Sequence, residues 1–297
     1  MASSQQPHTP QEQEHYSLQE IQHMISCFDA EVLPFIPSKE AVILRARQRR
    51  LKKQALLAST LGVVCAVVGL YAYNPSYQKQ MFATRIGQQQ EVTLTDGTTV
   101  LLNTNTQLEI RHHLRSRELT LVQGEASFSV QHSQQPLRRY FERAFSVQAG
   151  QLYVHDIGTV FQVQKHNATD ATVSVQRGLV EVSTLGSDQA PVRLSTGQSL
   201  TNHVQQLQSI QWIDNDTVTA WQHGQLVFQH TPLAQALQQF QRYHDFKVSI
   251  ASPALKQIPI NGQFKTQNYQ QFLTVLPQVA ALKVEQVDAN HWRIQPK

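Results

Sequence analysis

Residues 54–73 read QALLASTLGVVCAVVGLYAY, and the stretch contains no charged residue. A helix rises about 1.5 Å per residue, so about 20 residues cross the roughly 30 Å hydrocarbon layer of a bilayer. Gly62 and Gly69 are tolerated in lipid, where small residues let helices approach. Tyr71, Tyr73 and Tyr77 gather at the far end, where amphipathic rings sit at headgroup level. A core helix of this length would keep a polar face. The run starts too far from Met1 for a secretory signal, and no A-x-A-like site follows it. The segment therefore reads as one retained transmembrane helix.

The flanks orient it. Arg45, Arg47, Arg49, Arg50, Lys52 and Lys53 precede the span directly, and Lys79 is the first basic residue beyond it. Lys and Arg accumulate on the cytoplasmic side of a span, which places the N-terminus in the cytoplasm and the larger C-terminal part outside. The formal charge of +4 is concentrated in this one run. It thus reads as a topology signal rather than a nucleic-acid surface. Four parts follow: a cytoplasmic segment 1–53, the membrane helix 54–73, an outer domain 84–210 and a second outer domain 220–297. The two cysteines, Cys27 and Cys65, fall before and inside the span and cannot form a disulfide framework.

Residues 1–14, MASSQQPHTPQEQE, are polar and aperiodic and read as disordered. Ser17-Leu18-Gln19-Glu20 has the form of a capping box, Ser17 at N-cap and Glu20 at N3. Leu18, Ile21, Ile25 and Phe28 then recur at helical spacing. Pro34 and Pro37 break the chain, and Ser38 caps a second helix that runs through Ala41 and Leu44 into the span. Two short amphipathic helices cannot bury their apolar stripes against each other alone. Such a segment folds against a partner, with a tail that only sets topology as the blander alternative.

After the span the period changes to two. Val92 and Leu94, then Asp96-Gly97, then Val100 and Leu102 read as strands joined by a tight turn. Similar units follow around Gly124, Gly150, Gly158, Gly178 and Gly197, with no helix between them. This is an all-β domain, sandwich-like or solenoid-like. His112, His113, His132, His155 and His166 lack metal-ligand spacing, so no metal is expected. No G-x-S-x-G or paired-carboxylate pattern points to an enzyme or to a cofactor.

From Trp221 onward the order is β-α-β-β-α-β-β, a small α+β module. Thr231-Pro232 opens its first helix, Thr231 as N-cap and Pro232 at N1, with Leu233, Leu237, Phe240 and Tyr243 on one face. Tyr269, Phe272, Leu273 and Leu276 mark the second helix.

From residue 84 to its end the chain resembles FecR-type anti-sigma regulators. The resemblance is carried by VTLTDGTTVLLNTNTQLEI (92–110), by Arg117-Glu118-Leu119-Thr120-Leu121 leading into GEASFSV (124–130), and by GTVFQV (158–163) and VSVQRGLVEV (173–182). It continues through WQHGQLVFQHTPLAQALQQFQRYHDFKVSI (221–250), which also resembles the short module at the N-termini of secretins and TonB-dependent receptors. No motif is specific alone; their order and spacing together are.

The resemblance implies a single-pass protein of the bacterial inner membrane with its C-terminus in the periplasm. Its partners would be an extracytoplasmic-function sigma factor inside and the signalling domain of a TonB-dependent outer-membrane receptor outside, with no direct contact to nucleic acid. Such a system controls transcription of uptake genes, often for iron. The sigma-binding face would be Leu18, Ile21, Ile25 and Phe28, and the receptor-facing set Leu233, Leu237, Phe240 and Tyr243. Residues 1–53 contain no Trp, a departure from the family's longer N-terminal domain.

Some members cut themselves at a Gly-Thr pair, which here is Gly158-Thr159. The Thr159 hydroxyl would attack the Gly158 carbonyl, and His155 or Asp156 would assist proton transfer. Gly-Thr suits a plain turn entering a strand equally well. An alternative function also stays open: a structural adaptor of an envelope or secretion complex, anchored in the inner membrane.

Overall fold

The computed structural model describes residues 17–32, 38–132 and 142–297. The expected tail 1–14 and the chain break at Pro34 and Pro37 lie outside the described residues. The chain divides into two compact units, 1–69 and 70–297.

In the first unit, α1 (Leu18–Val32) opens on the expected capping box. Ser17 N donates to Glu20 Oε2 at 2.9 Å, and Glu20 N donates to Ser17 Oγ at 3.3 Å. α2 (Lys39–Tyr73) is capped by Ser38, whose Oγ accepts from Ala41 N at 3.2 Å. It runs without a break from the basic run through the apolar stretch. Its most apolar window has a mean hydropathy of 2.1, and it is the one helix among the described residues long and apolar enough to cross a membrane.

The second unit begins with a two-sheet β domain. Its strands are β1 (Ser76–Ala83), β2 (Gln90–Thr93), β3 (Thr99–Leu102), β4 (Gln107–His113), β5 (Ser116–Gln123), β6 (Glu125–Ser129), β7 (Ala144–Ala149) and β8 (Leu152–Asp156). β9 (Val160–Lys165), β10 (Ala171–Arg177), β11 (Leu179–Thr184), β12 (Val192–Ser195), β13 (Gln198–His203), β14 (Gln206–Leu207) and β15 (Gln211–Trp212) complete it. One sheet has the order β1-β4-β5-β7-β8-β11-β12, the other β14-β13-β10-β9-β6-β3-β2, with β15 beside β13. All pairs are antiparallel except β5–β7.

Rings from both sheets meet in the core. Phe145 of β7 stands edge-on to Phe128 of β6 and Phe161 of β9, with centroids 6.1 and 6.4 Å apart. Of the two forms expected, the domain is thus a sandwich. It begins earlier than residue 84, because β1 pairs with β4 along its length. SYQKQMFA is too polar to announce a strand, and an edge position lets it stay so.

The glycine-punctuated units are of two kinds. Asp96-Gly97 is the expected hairpin turn, with Val92 opposite Val100, and Gly150 turns β7 into β8. Gly124, Gly158, Gly178 and Gly197 are not hairpin turns, contrary to the expectation of similar units. At each the chain leaves one sheet and enters the other. Gly124 shows why the corner needs glycine: its φ is +89°, and a Cβ there would lie 2.7 Å from Thr106 Cα.

A helical connection, α3 (Asn215–Thr219) and a 3₁₀ turn (Ala220–His223), leads into the C-terminal module. The module comprises β16 (Gln225–Pro232), α4 (Leu233–Gln241), β17 (Lys247–Ile250), α5 (Pro253–Lys256), β18 (Pro259–Lys265), α6 (Tyr269–Val279), β19 (Leu282–Asp288) and β20 (His291–Pro296). β16 pairs with β18, and β17 runs parallel to β20, which pairs with β19. Phe228, Phe240, Phe264 and Phe272 cluster in its core, the closest rings, Phe240 and Phe272, 4.8 Å apart. Thr231 does not cap α4. The chain stays extended through Pro232, and Thr231 Oγ1 accepts from Gln229 N instead.

Candidate functional site

α1 turns its apolar residues outward. Leu18 is 80% exposed and Ile25 56%, with Ile21 and Met24 between them also exposed. The Phe28 side chain lies outside the described residues. Arg45, Arg47, Arg49, Arg50, Lys52 and Lys53 are all exposed on α2 ahead of its uncharged part.

At the other end of α2 the last turn is tied to the β4–β5 turn. Arg115 stacks on the Tyr71 ring at 4.6 Å, and Asn74 Oδ1 accepts from Arg115 N at 2.9 Å. Asn74 Nδ2 donates to Ser116 Oγ at 3.0 Å, and the Asn74 carbonyl oxygen lies 2.7 Å from His113 Nδ1. Asn74 takes a left-handed φ of +48°, which Asn tolerates better than most residues.

The Gly158-Thr159 pair sits at the corner between β8 and β9. Gly158 has a φ of +133°, a region effectively reserved for glycine. Gly178 packs against it so closely that a Cβ there would collide with the Gly158 carbonyl oxygen. Asp156 Oδ1 accepts from the Thr159 hydroxyl and from Gly158 N, the latter at 3.3 Å. Its other oxygen faces His132 Nε2 at 2.7 Å, and His132 Nδ1 faces Glu142 Oε2 at 2.9 Å. His155 does not join them. Leu152, Val154 and Asp156 bury one face of β8, and His155 lies on the other.

The C-terminal module covers the outer face of the second sheet. That explains why polar residues of β6 and β9 are buried although they alternate with core residues. Arg242 Nη2 pairs with Glu125, which also accepts from Gln162 Nε2 and Asn103 Nδ2. Gln162 Oε1 in turn accepts from Trp221 Nε1 at 2.8 Å, and Tyr243 Oη bonds Asn103 Oδ1 at 3.0 Å. Burial pushes the Tyr243 phenol up to about 12. Polar groups thus taken out of water are satisfied by one another.

The four residues of the expected receptor-facing set are buried. Leu233, Leu237 and Phe240 are buried in the module's own core, and Tyr243 is buried at the seam. Their shared face packs within the same unit.

The sequence profile described as FecR protein matches residues 80–181, and the one described as FecR, C-terminal matches residues 225–293. The two together span more than half of the chain; the first lies within the β domain and ends in β11, and the second covers most of the C-terminal module. The chain belongs to the FecR family. No curated protein sequence matches this FecR protein. Two crystal structures, each of a candidate anti-sigma factor from Parabacteroides distasonis, share its fold. The first, at 2.50 Å resolution, has 22% identity and a TM-score of 0.60, and covers 74% of this chain and all of its own. The second, at 1.65 Å, has 22% identity and a TM-score of 0.59, over 73% of this chain and 99% of its own.

In this FecR protein the structure brings Thr159 and Asp156 together as the sequence suggested. It adds His132 and Glu142, which sequence reading missed. His132 is 24 residues from Asp156, and no local pattern connects them.

Proposed function

We propose that this FecR protein is an anti-sigma regulator, a single-pass protein of the bacterial inner membrane. Its N-terminal segment binds an extracytoplasmic-function sigma factor in the cytoplasm. Its β domain and C-terminal module lie in the periplasm and receive the signal of a TonB-dependent outer-membrane receptor, so that nutrient uptake genes, such as those for iron, are transcribed when the receptor is occupied.

The observation that carries this reading is the apolar face of α1. Leu18, Ile21 and Ile25 are exposed among the described residues of a chain that belongs to the FecR family. An amphipathic helix with its apolar face outward suits a partner's groove. The basic run ahead of the apolar stretch supports the orientation. With Leu233, Leu237 and Phe240 committed to the module's interior, the receptor contact falls on other residues of the module.

The test is co-purification of the full-length protein, in detergent, with the extracytoplasmic-function sigma factors of the same genome. One of them should be retained and then lost when Ile21 and Ile25 are both replaced by Ser. Retention of none by the wild-type protein would contradict the reading.

Scission at Gly158-Thr159 belongs to the same proposal. The Thr159 hydroxyl already points its proton at a carboxylate, and the peptide it would attack is held in a glycine-only conformation. Thr159→Ala should leave a single full-length species where the wild type gives two fragments on a denaturing gel.

A further inference from the structure

Asp156 has two oxygens and two tasks. Oδ1 accepts from the Thr159 hydroxyl, and Oδ2 is 2.7 Å from His132 Nε2. A carboxylate held at one oxygen presents the other in a fixed direction. His132 is itself held at 2.9 Å by Glu142, so a line of four side chains runs Thr159–Asp156–His132–Glu142. Asp156 is buried, and Thr159 is 4% exposed. His132 reaches this corner from the end of β6, in the opposite sheet from β8.

Among the described residues, Arg117, Asp96 and Arg143 are further charged groups at this end. Arg117 pairs with Asp96 and donates through Nη2 to the Arg143 carbonyl oxygen at 2.8 Å. It also lies within electrostatic reach of Asp156 and Glu142. The Arg143 guanidinium bonds the Tyr77 hydroxyl.

We propose that His132 is a positioning residue for scission of Gly158-Thr159, holding Asp156 as the base that takes the Thr159 hydroxyl proton. This rests on the reading that the pair cleaves. Thr159 Oγ forms a bond to the Gly158 carbonyl carbon while the bond from that carbon to Thr159 N breaks. The hydroxyl proton passes to Asp156 and then to the departing Thr159 amine. Water hydrolyses the resulting ester, leaving a Gly158 carboxylate and restoring the Thr159 hydroxyl.

Both ring nitrogens of His132 face carboxylate oxygens, so the ring is gripped from two sides and fixes the direction of Asp156.

The experiment is a time course of fragment formation after cell-free synthesis of the full chain into lipid nanodiscs. His132→Ala should slow cleavage by on the order of tenfold or more, within the range general base catalysis supplies. His132→Gln keeps an N–H toward Asp156, so it should restore most of the wild-type rate. His132→Ala cleaving at the wild-type rate, or His132→Gln cleaving no faster than His132→Ala, would overturn the assignment of His132 while scission itself stands. A wild-type chain that stays whole removes the cleavage reading, and this proposal with it.

Discussion

α1 and α4 are written in the same code and used in opposite ways. Both carry apolar residues at helical spacing, Leu18, Ile21 and Ile25 in one, Leu233, Leu237 and Phe240 in the other. In α4 all three are within 3% of complete burial, because β16, β18 and α6 close over them. In α1 the corresponding face is open. The period says that a helix has a face to hide. It does not say whether the cover is in the same chain or in another protein.

The difference can be broken by measuring stability. Phe240→Ala should cost about 3–5 kcal/mol, since it empties a ring-lined core that cannot collapse. It would be read as a lowered midpoint of thermal unfolding of residues 70–297. A near-neutral result would mean that α4 is not packed as described.

The seam gives a pH-dependent version of the same test. The Tyr243 phenol ionises near about 10 in an unfolded chain, and burial raises it to about 12 in the folded one. A raised value means that the folded state favours the neutral phenol. The stability it contributes is complete below pH 10 and lost as pH climbs from there towards 12. Tyr243→Phe should cost about 1 kcal/mol at neutral pH, for the bond to Asn103, and flatten this alkaline loss. Denaturant unfolding at pH 8 and pH 11 would read both effects.

Smaller effects belong to α1. Ser17→Ala removes the capping box and should cost about 1 kcal/mol of helix stability, seen as lower helical content of residues 17–32. Ile25→Ser should move the thermal midpoint least of all, within about 0.5 kcal/mol, because the side chain leaves water for nothing in this chain. If Ile25→Ser destabilised the protein as Phe240→Ala does, the two helices would not differ as claimed.

Local patterns carried much of the architecture. The uncharged run 54–73, the capping box at Ser17 and the Asp96-Gly97 hairpin could all be read from neighbouring residues, whereas the expected order of the C-terminal module lacked the short α5 (Pro253–Lys256) between β17 and β18. What needed the third dimension was hidden in proportion to its distance along the chain. Gly124 and Gly150 look alike in sequence, yet one turns a hairpin and the other moves the chain to the opposite sheet. GEASFSV reads as a strand with one polar face, whereas Glu125 and Ser127 are buried under a module about 100 residues away. The seam also buries Tyr243, expected as a receptor contact. The corner at Thr159 was half legible: Asp156 is three residues away, but His132 arrives from another strand end.

The central claim is that the open face of α1 is closed by a sigma factor. Hydrogen exchange of the full-length protein in detergent, with and without the extracytoplasmic-function sigma factor it retains, measures this at the helix itself. The account predicts that the amides of residues 18–32 slow markedly on addition while those of α4, already covered, do not change. Exchange in residues 18–32 that stays the same with the sigma factor bound would contradict it.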